Sequence, residues 1–99
     1  VKVVILNNRY LGMVRQWQEL FYGQRYTWTH MEHAPDFVKL AEAYGAVGYR
    51  IEKEGDVDKI LKEAFSNNKP TLIDVLVNPE ENVYPMVPAG APLKEMLLV

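Results

Sequence analysis

The sequence contains no cysteine, which excludes disulfide bonds, thiolate catalysis and cysteine-ligated metal sites. Long hydrophobic runs are also missing, since the longest apolar runs, such as Val3 to Leu6 and Val75 to Val77, are far too short to span a bilayer. No segment is strongly basic, and the net charge is −2. We therefore expect neither nucleic acid nor a membrane as partner. We also expect no signal peptide and a cytoplasmic location.

The composition is that of one small globular domain. Of the 99 residues, 48% are hydrophobic and 24% are charged, which argues against a disordered or fibrous chain. The sequence begins at Val1, inside an apolar run that is typical of a buried strand. We therefore expect that further sequence lies upstream of Val1 in the intact protein.

Hydrophobic patterning predicts three strands and three helices. Apolar, β-branched or alternating runs predict strands at residues 1–6, 47–51 and 71–77. Helical spacing of apolar residues predicts a helix from Leu11 to about Tyr22, ended by Gly23. A second helix is expected from Pro35 to Tyr44, with Gly45 as its left-handed cap. A third is expected after Asp56, with one apolar face at Val57, Ile60, Leu61 and Ala64.

This order of elements predicts an α/β fold with a parallel sheet. Strands that alternate with helices favour right-handed crossovers and helices on both faces, which gives a three-layer α/β/α arrangement. Three helices cover such a sheet only partly, so we expect more strands and helices upstream. Residues 1–77 would form this partial domain. Residues 78–99, which contain four of the six prolines, would form an extended C-terminal arm with a final helical turn from Pro92.

Asn7 and Asn8 directly follow the first predicted strand. Ligands of open α/β sheets bind outside the carboxyl ends of the strands, and a side-chain amide oxygen can ligate Mg²⁺. Asparagine is also a common turn residue, so the dipeptide alone indicates a simple turn more strongly than a metal site.

Three longer segments resemble the catalytic (large) subunits of acetolactate synthases. Residues 6–22 (LNNRYLGMVRQWQELFY) resemble their cofactor-proximal segment, and the Asn-Asn turn is similar to the end of the thiamine-diphosphate motif that starts upstream with Gly-Asp-Gly. Residues 35–45 (PDFVKLAEAYG) fit the segment that follows. Residues 78–91 (NPEENVYPMVPAGA) resemble the C-terminal arm. The resemblance covers essentially the whole chain in family order, and implies the C-terminal part of a thiamine-diphosphate-binding domain.

The resemblance implies roles for six residues. The side chain of Asn8 and the carbonyl of Tyr10 would ligate a Mg²⁺ ion that bridges the diphosphate, and Gly12 and Met13 would lie against thiamine diphosphate. Trp17 would line the substrate channel, with Ala89 near the channel mouth. Met13 and Trp17 share one helical face, for which ordinary core packing is the alternative interpretation.

The resemblance also implies a reaction and partners. Acetolactate synthases condense two pyruvates, or pyruvate and 2-ketobutyrate, with loss of CO2, in branched-chain amino acid biosynthesis. The implied partners are 2-keto acids, the rest of the catalytic subunit, further copies in a homo-oligomer, and a regulatory small subunit. The Gly-Asp-Gly half of the motif, the activating glutamate and the FAD-binding domain do not occur in these 99 residues. We therefore expect no catalytic residue in this chain, no FAD binding by it, and no activity from it alone.

Two other functions remain open from the sequence. The chain could belong to another thiamine-diphosphate decarboxylase or carboligase, since those enzymes share the Asn-Asn turn, although Trp17 and the arm argue against it. It could instead be a stand-alone α/β module that binds a partner through an open sheet edge. Such a module would be monomeric, whereas a severed domain would self-associate.

Two further features are expected to have no catalytic role. His30 and His33 could face one metal ion, but the sequence offers no full ligand set beside them, so they are interpreted as loop residues. Asp74 lies in a buried-type strand and should therefore have a polar partner or lie near an edge.

Overall fold

The computed structural model describes all residues, 1–99, and its centre is a parallel sheet of three strands. The strands are β1 (Lys2–Asn7), β2 (Val47–Ile51) and β3 (Thr71–Leu76), in the spatial order β1-β3-β2. The last strand in sequence is therefore the central one. It pairs in parallel with both neighbours, Ile5 and Arg50 lying on either side of Asp74.

The helices are α1 (Gly12–Phe21), α2 (Phe37–Ala43) and α3 (Val57–Ser66). Of these, α3 covers one face of the sheet with the apolar stripe that its sequence predicts. Ala64 and Ile73 are fully buried and form the core with Ile51. Tyr49, Val57, Ile60, Leu61 and Val75 pack around this core.

The opposite face of the sheet is covered by α2, which lies very close to β2. A Cβ atom at Gly48 would lie 2.8 Å from the carbonyl oxygen of Val38, so only glycine permits this approach. Because strand side chains alternate between faces, the two helices lie on opposite sides of the sheet. The predicted three-layer α/β/α fold is thus confirmed, as a partial sheet.

One predicted helix start and one predicted side-chain cap need correction. Pro35 is not the first residue of α2, because the helix begins at Phe37 with Asp36 as its N-cap. The Asp36 carboxylate accepts hydrogen bonds from the backbone N–H groups of Val38 and Lys39, at 3.0 and 3.2 Å. Asp56 does precede α3, but its side chain makes no capping bond, since a short 3-10 turn (Glu54–Asp56) leads into the helix. The other predicted boundaries agree with the structure to within one residue.

One of the two edges of the sheet is formed by β1. It pairs only with β3, and its Val3, Val4 and Leu6 side chains are 46%, 47% and 71% exposed. The run of β-branched and apolar residues therefore forms a strand as predicted, but within these 99 residues no helix covers either of its faces.

The arm and α1 form a separate layer beside the sheet. The arm contains the predicted late turn, a 3-10 helix at Leu93–Glu95, and a bridge between Met86 and Leu97. The radius of gyration is 17.0 Å, against about 13 Å for a compact domain of this length. No helix has the length and apolar character needed to cross a membrane.

Candidate functional site

The Asn7-Asn8-Arg9 turn lies at the carboxyl end of β1 and is built by its own side chains. Asn7 Oδ1 accepts a hydrogen bond from the Arg9 N–H at 3.0 Å, and Asn8 Oδ1 accepts one from the Tyr10 N–H at 3.0 Å. Arg9 takes a left-handed conformation with φ of 60°. These two side-chain hydrogen bonds hold the backbone of the turn.

Asn8, Tyr10 and Gly12 line one depression of about 510 Å³ at this strand end. Three of the six predicted site residues are therefore brought together. The other lining residues are Leu6, Val77, Asn78 and Glu81. Asn78 and Glu81 come from the start of the arm and were missed by the sequence reasoning, because nothing in a Pro- and Glu-containing loop indicates which strand end it crosses.

The depression has the features that an anion with a bound divalent cation requires. The first N–H groups of α1 have no intrahelical partner, and no side chain caps them, so they can receive negative charge. The oxygen of Asn8 keeps a second lone pair beyond its bond to Tyr10. A Cβ atom at Gly12 would lie 2.9 Å from Asn8 Nδ2, so glycine leaves the Asn8 amide in place. The residues present therefore fit a metal-bound diphosphate.

The side chain of Tyr10 fixes the end of the turn. Its ring stacks on His30 with 4.8 Å between ring centroids, and the Arg15 guanidinium lies 5.1 Å from its centre. Arg15 also lies 4.5 Å from the ring centre of Tyr26. Desolvation is the largest cause that raises the pKa of Tyr26 above its ordinary value, and the hydrogen bond to Glu19 raises this pKa further. These contacts of Tyr26 and His30 hold the 23–34 loop against α1 and the turn.

Met13 and Trp17 share the predicted helical face, and that face is open. Both line a cavity of about 770 Å³ and are 51% and 41% exposed, so within this chain they are not core residues. The same cavity contains one cationic side chain, that of Arg25.

Trp17 also connects α1 to the arm. It lines a smaller cavity of about 210 Å³ together with Phe21, Tyr22, Pro88 and Ala89. Trp17 and Ala89, both predicted to border the substrate channel, thus meet although they are far apart in sequence.

Gln16 holds the arm in this position and was not identified from the sequence. Its side chain is buried, donates to the Val83 carbonyl at 2.9 Å and accepts from the Val83 N–H at 2.8 Å. Asn82 adds a bond to Glu19 at 3.0 Å. A glutamine inside an amphipathic helix gives no sequence signal of such a backbone contact.

A network of charged side chains, of which only Asp74 is buried, lies on the α2 side of the same strand end. Asp74 is 1% exposed and accepts from Asn7 Nδ2 at 2.9 Å and from Arg50 Nε at 3.2 Å. Arg50 Nη2 donates to Asp36 at 2.9 Å. Hydrogen bonding to Asp36, and then to Asp74, raises the pKa of Arg50. The hydrogen bond from the backbone N–H of Lys39 is the largest cause that lowers the pKa of Asp36, and the hydrogen bond from Arg50 lowers it further.

The prediction that Asp74 has a polar partner is therefore confirmed, although Asp74 lies in the central strand. The two histidines are loop residues, as predicted, and His30 Nδ1 lies 3.1 Å from a Glu32 carboxylate oxygen. No group of three or more His, Cys, Asp or Glu side chains is placed to hold a metal ion.

Comparison with known protein families identifies the fold around this turn. The family described as "Thiamine pyrophosphate enzyme, C-terminal TPP binding domain" matches residues 1–75. The chain belongs to this family. Thiamine pyrophosphate is the same compound as thiamine diphosphate, so the predicted cofactor class is supported for the family.

The chain is also similar to acetolactate synthases over nearly its whole length. It is 50% identical to the mitochondrial acetolactate synthase of Schizosaccharomyces pombe over 98 residues, which are 99% of this chain and 14% of that protein. It is 46% identical to the acetolactate synthase large subunit of Haemophilus influenzae. It is 48% identical to the acetolactate synthase isozyme 3 large subunit of Escherichia coli. Each of these alignments covers 99% of this chain, and 17% and 18% of those proteins. The chain thus spans less than a fifth of the length of these relatives, and the predicted resemblance is confirmed.

Proposed function

We propose that the chain is the C-terminal part of the catalytic subunit of an acetolactate synthase. The intact enzyme would condense two pyruvates, or pyruvate and 2-ketobutyrate, with loss of CO2. One observation carries this proposal. The general family match ends at residue 75, whereas the similarity to acetolactate synthases covers 99% of the chain and so includes the arm. The arm is thus the part of this chain that the similarity to acetolactate synthases includes and the general family match does not.

In this proposal, residues 1–77 belong to the cofactor-binding domain and residues 78–99 form its arm. The exposed apolar faces of β1 would be covered by upstream strands and helices of the same subunit. FAD would be held elsewhere in the intact enzyme, which would act in the cytoplasm as a homo-oligomer with a regulatory small subunit.

The depression at the end of β1 would hold Mg²⁺ and the diphosphate of the cofactor. Asn8, through its side-chain oxygen, and Tyr10, through its carbonyl, would ligate the metal, since Mg²⁺ prefers oxygen ligands. Gly12 and Met13, in the uncapped first turn of α1, would lie against the cofactor. When bound, thiamine diphosphate supplies the electron sink for the decarboxylation.

The remaining residues would shape and close the substrate channel. Trp17 would form the wall that selects the second 2-keto acid, and Ala89 would lie near the channel mouth, as their shared cavity supports. The arm, anchored by Gln16, would exclude water from the site. Water exclusion matters because a two-carbon unit that is protonated early leaves as acetaldehyde.

The decisive experiment is product analysis of the full-length protein that contains this chain. With Mg²⁺, thiamine diphosphate, FAD and pyruvate, we expect acetolactate, and with added 2-ketobutyrate also acetohydroxybutyrate. Acetaldehyde or another ligation product as the main product would assign the chain to a different decarboxylase or carboligase. The sequence upstream of Val1 adds an independent check, because the proposal requires a Gly-Asp-Gly motif there.

A further inference from the structure

The side chain of Asn7 is held in one orientation from both ends. Its oxygen faces the Arg9 N–H, which can only donate, and its Nδ2 faces the carboxylate of Asp74, which accepts. Rotating the amide by half a turn would place donor against donor at Arg9. Asn7 is thus fixed by the start of the turn that contains Asn8 and by the central strand.

Asp74 is in turn fixed by the two strands beside it. It is 1% exposed, and a buried carboxylate is strongly unfavourable unless it is paired and hydrogen-bonded. Its two oxygens divide their contacts, with Oδ1 accepting from Asn7 and Oδ2 from Arg50. Arg50 reaches on to Asp36, the N-cap of α2. A continuous chain of hydrogen bonds therefore links α2, all three strands and the turn.

We propose that Asn7 and Asp74 are positioning residues that set the Asn8–Tyr10 turn in its ligand-binding conformation. This proposal rests on the proposed function, since it concerns the same metal and cofactor site. Neither Asn7 nor Asp74 lines the depression, and together with Arg50 they line a separate polar cavity on the α2 side. They act through the backbone, where the Arg9 N–H bond to Asn7 maintains the left-handed conformation of Arg9.

The geometry allows an exchange of the two side chains that preserves every bond. In Asp74→Asn, the new amide oxygen can still accept the hydrogen bond from Arg50. The new amide nitrogen then faces Asn7 Nδ2, so two donors meet and that hydrogen bond is lost. In Asn7→Asp, two carboxylates face each other across the 2.9 Å contact. In the double variant N7D/D74N, the amide at position 74 donates to the carboxylate at position 7, which still accepts from the Arg9 N–H.

The test measures Mg²⁺ affinity at saturating thiamine diphosphate, by isothermal titration calorimetry of the full-length protein. We expect each single variant to weaken the apparent Mg²⁺ affinity by about 10-fold or more, the usual effect of losing an outer-shell partner. The double variant should return to within a few-fold of the unmodified protein. A purely structural role would lower the thermal midpoint of the single variants without changing the affinity of the folded protein.

Thr71→Val is the matched control. Thr71 is buried on the same strand and hydrogen-bonds to Lys69 and Asn67, at the end remote from the turn. The Thr71→Val variant should be less stable than the unmodified protein but bind Mg²⁺ with the same affinity. Asn7→Ala provides a variant that keeps the Arg50–Asp74 pair if the charged variants do not fold, and it should also weaken Mg²⁺ binding.

Two results distinguish the possible failures. If the unmodified protein binds no Mg²⁺ with thiamine diphosphate, the proposed function is wrong. If it binds both, but Asn7→Ala retains full affinity or N7D/D74N binds no better than the single variants, the positioning role is wrong.

Discussion

At the scale of single residues, Gly12 contributes by the atom that it lacks. A methyl group there would lie 2.9 Å from Asn8 Nδ2, closer than non-bonded atoms approach. The Asn8 side chain is short and bonded to the Tyr10 N–H, so it cannot move aside without leaving the turn.

We therefore predict that Gly12→Ala in the full-length protein weakens Mg²⁺-dependent cofactor binding by about 10-fold. Stability should change by less than about 1 kcal/mol, because the preference of the helix for alanine over glycine offsets the loss of the Asn8 hydrogen bond. Titration calorimetry and thermal unfolding check the two parts. The control is Gly55→Ala, where a Cβ atom meets nothing within 4 Å. Unchanged cofactor affinity in Gly12→Ala would contradict the proposal that Asn8 ligates the metal.

Asp36 gives a pH-dependent prediction. Its pKa is lowered, so its charge stabilises the fold above the unfolded pKa of about 3.9, and this stabilisation is lost as the pH falls through the lower folded pKa. Asp36→Asn keeps a good N-cap but loses the ion pair to Arg50. Its thermal midpoint should lie below that of the unmodified protein at neutral pH, with a difference that vanishes only below about pH 4. Asp58→Asn, in the first turn of α3, removes the same charge outside any ion pair and should show a smaller difference. A difference that persists in acid would assign the effect to capping.

The residue scale also shows what local sequence can predict about the site. Asn8, Tyr10 and Gly12 lie within five residues of each other, so a turn at a strand end brings them together without further information. Trp17 and Ala89 lie far apart, and only the family resemblance connected them before the structure did. Gln16 and Glu81 were missed because their roles depend on where the arm crosses, which no short pattern encodes.

At the scale of elements, the periodicity of apolar residues predicts all three α-helices and all three strands. The face of α3 was predicted residue by residue, since Ala64 and its neighbours in the stripe pack on the sheet. The start of α2 was misplaced at Pro35, because proline is common in the first turn but the carboxylate of Asp36 satisfies the free N–H groups. The order of the strands depends on distant pairing and could not be read from local patterns.

The arm carries the prediction that belongs to this scale. Deleting residues 82–99 from the full-length enzyme removes the Val83 backbone that Gln16 holds and opens the cavity beside Trp17. We expect acetaldehyde release to rise several-fold relative to acetolactate, because water then reaches the site. Gas chromatography of both products measures the ratio.

Two variants sharpen this experiment. Gln16→Ala keeps the arm but removes both of its bonds to Val83, and should shift the ratio in the same direction by less. Removing only Leu98 and Val99, which are exposed, should leave the ratio unchanged. A deletion of the whole arm that does not alter the ratio would show that the arm does not exclude water.

At the scale of the whole molecule, the 99 residues form an elongated body with an open sheet edge. An exposed, apolar strand edge is a template for pairing with another chain. The partial burial of β1, with Leu6 71% exposed, is the feature expected where a sheet continues into other parts of a protein.

We predict that the isolated 99-residue chain self-associates and produces no acetolactate. Sedimentation velocity over a range of concentrations should show dimers or larger species, and Val4→Lys, which places a charge on the exposed edge, should reduce them. A chain that remains monomeric at every concentration would instead favour a stand-alone module.

The central position of β3 has a consequence for synthesis of the protein. Because β1 and β2 pair only with β3, neither strand has its hydrogen-bond partner in this sheet until residues 71–76 have been made. Such pairing between distant segments is slow compared with local helix formation. The Asn7-Asn8-Arg9 turn also forms its hydrogen bond to Asp74 only after residue 74 has been made. A chain whose synthesis stops before residue 71 would therefore keep the hydrogen bonds within the Asn7-Asn8-Arg9 turn but lack the contact that joins this turn to the sheet.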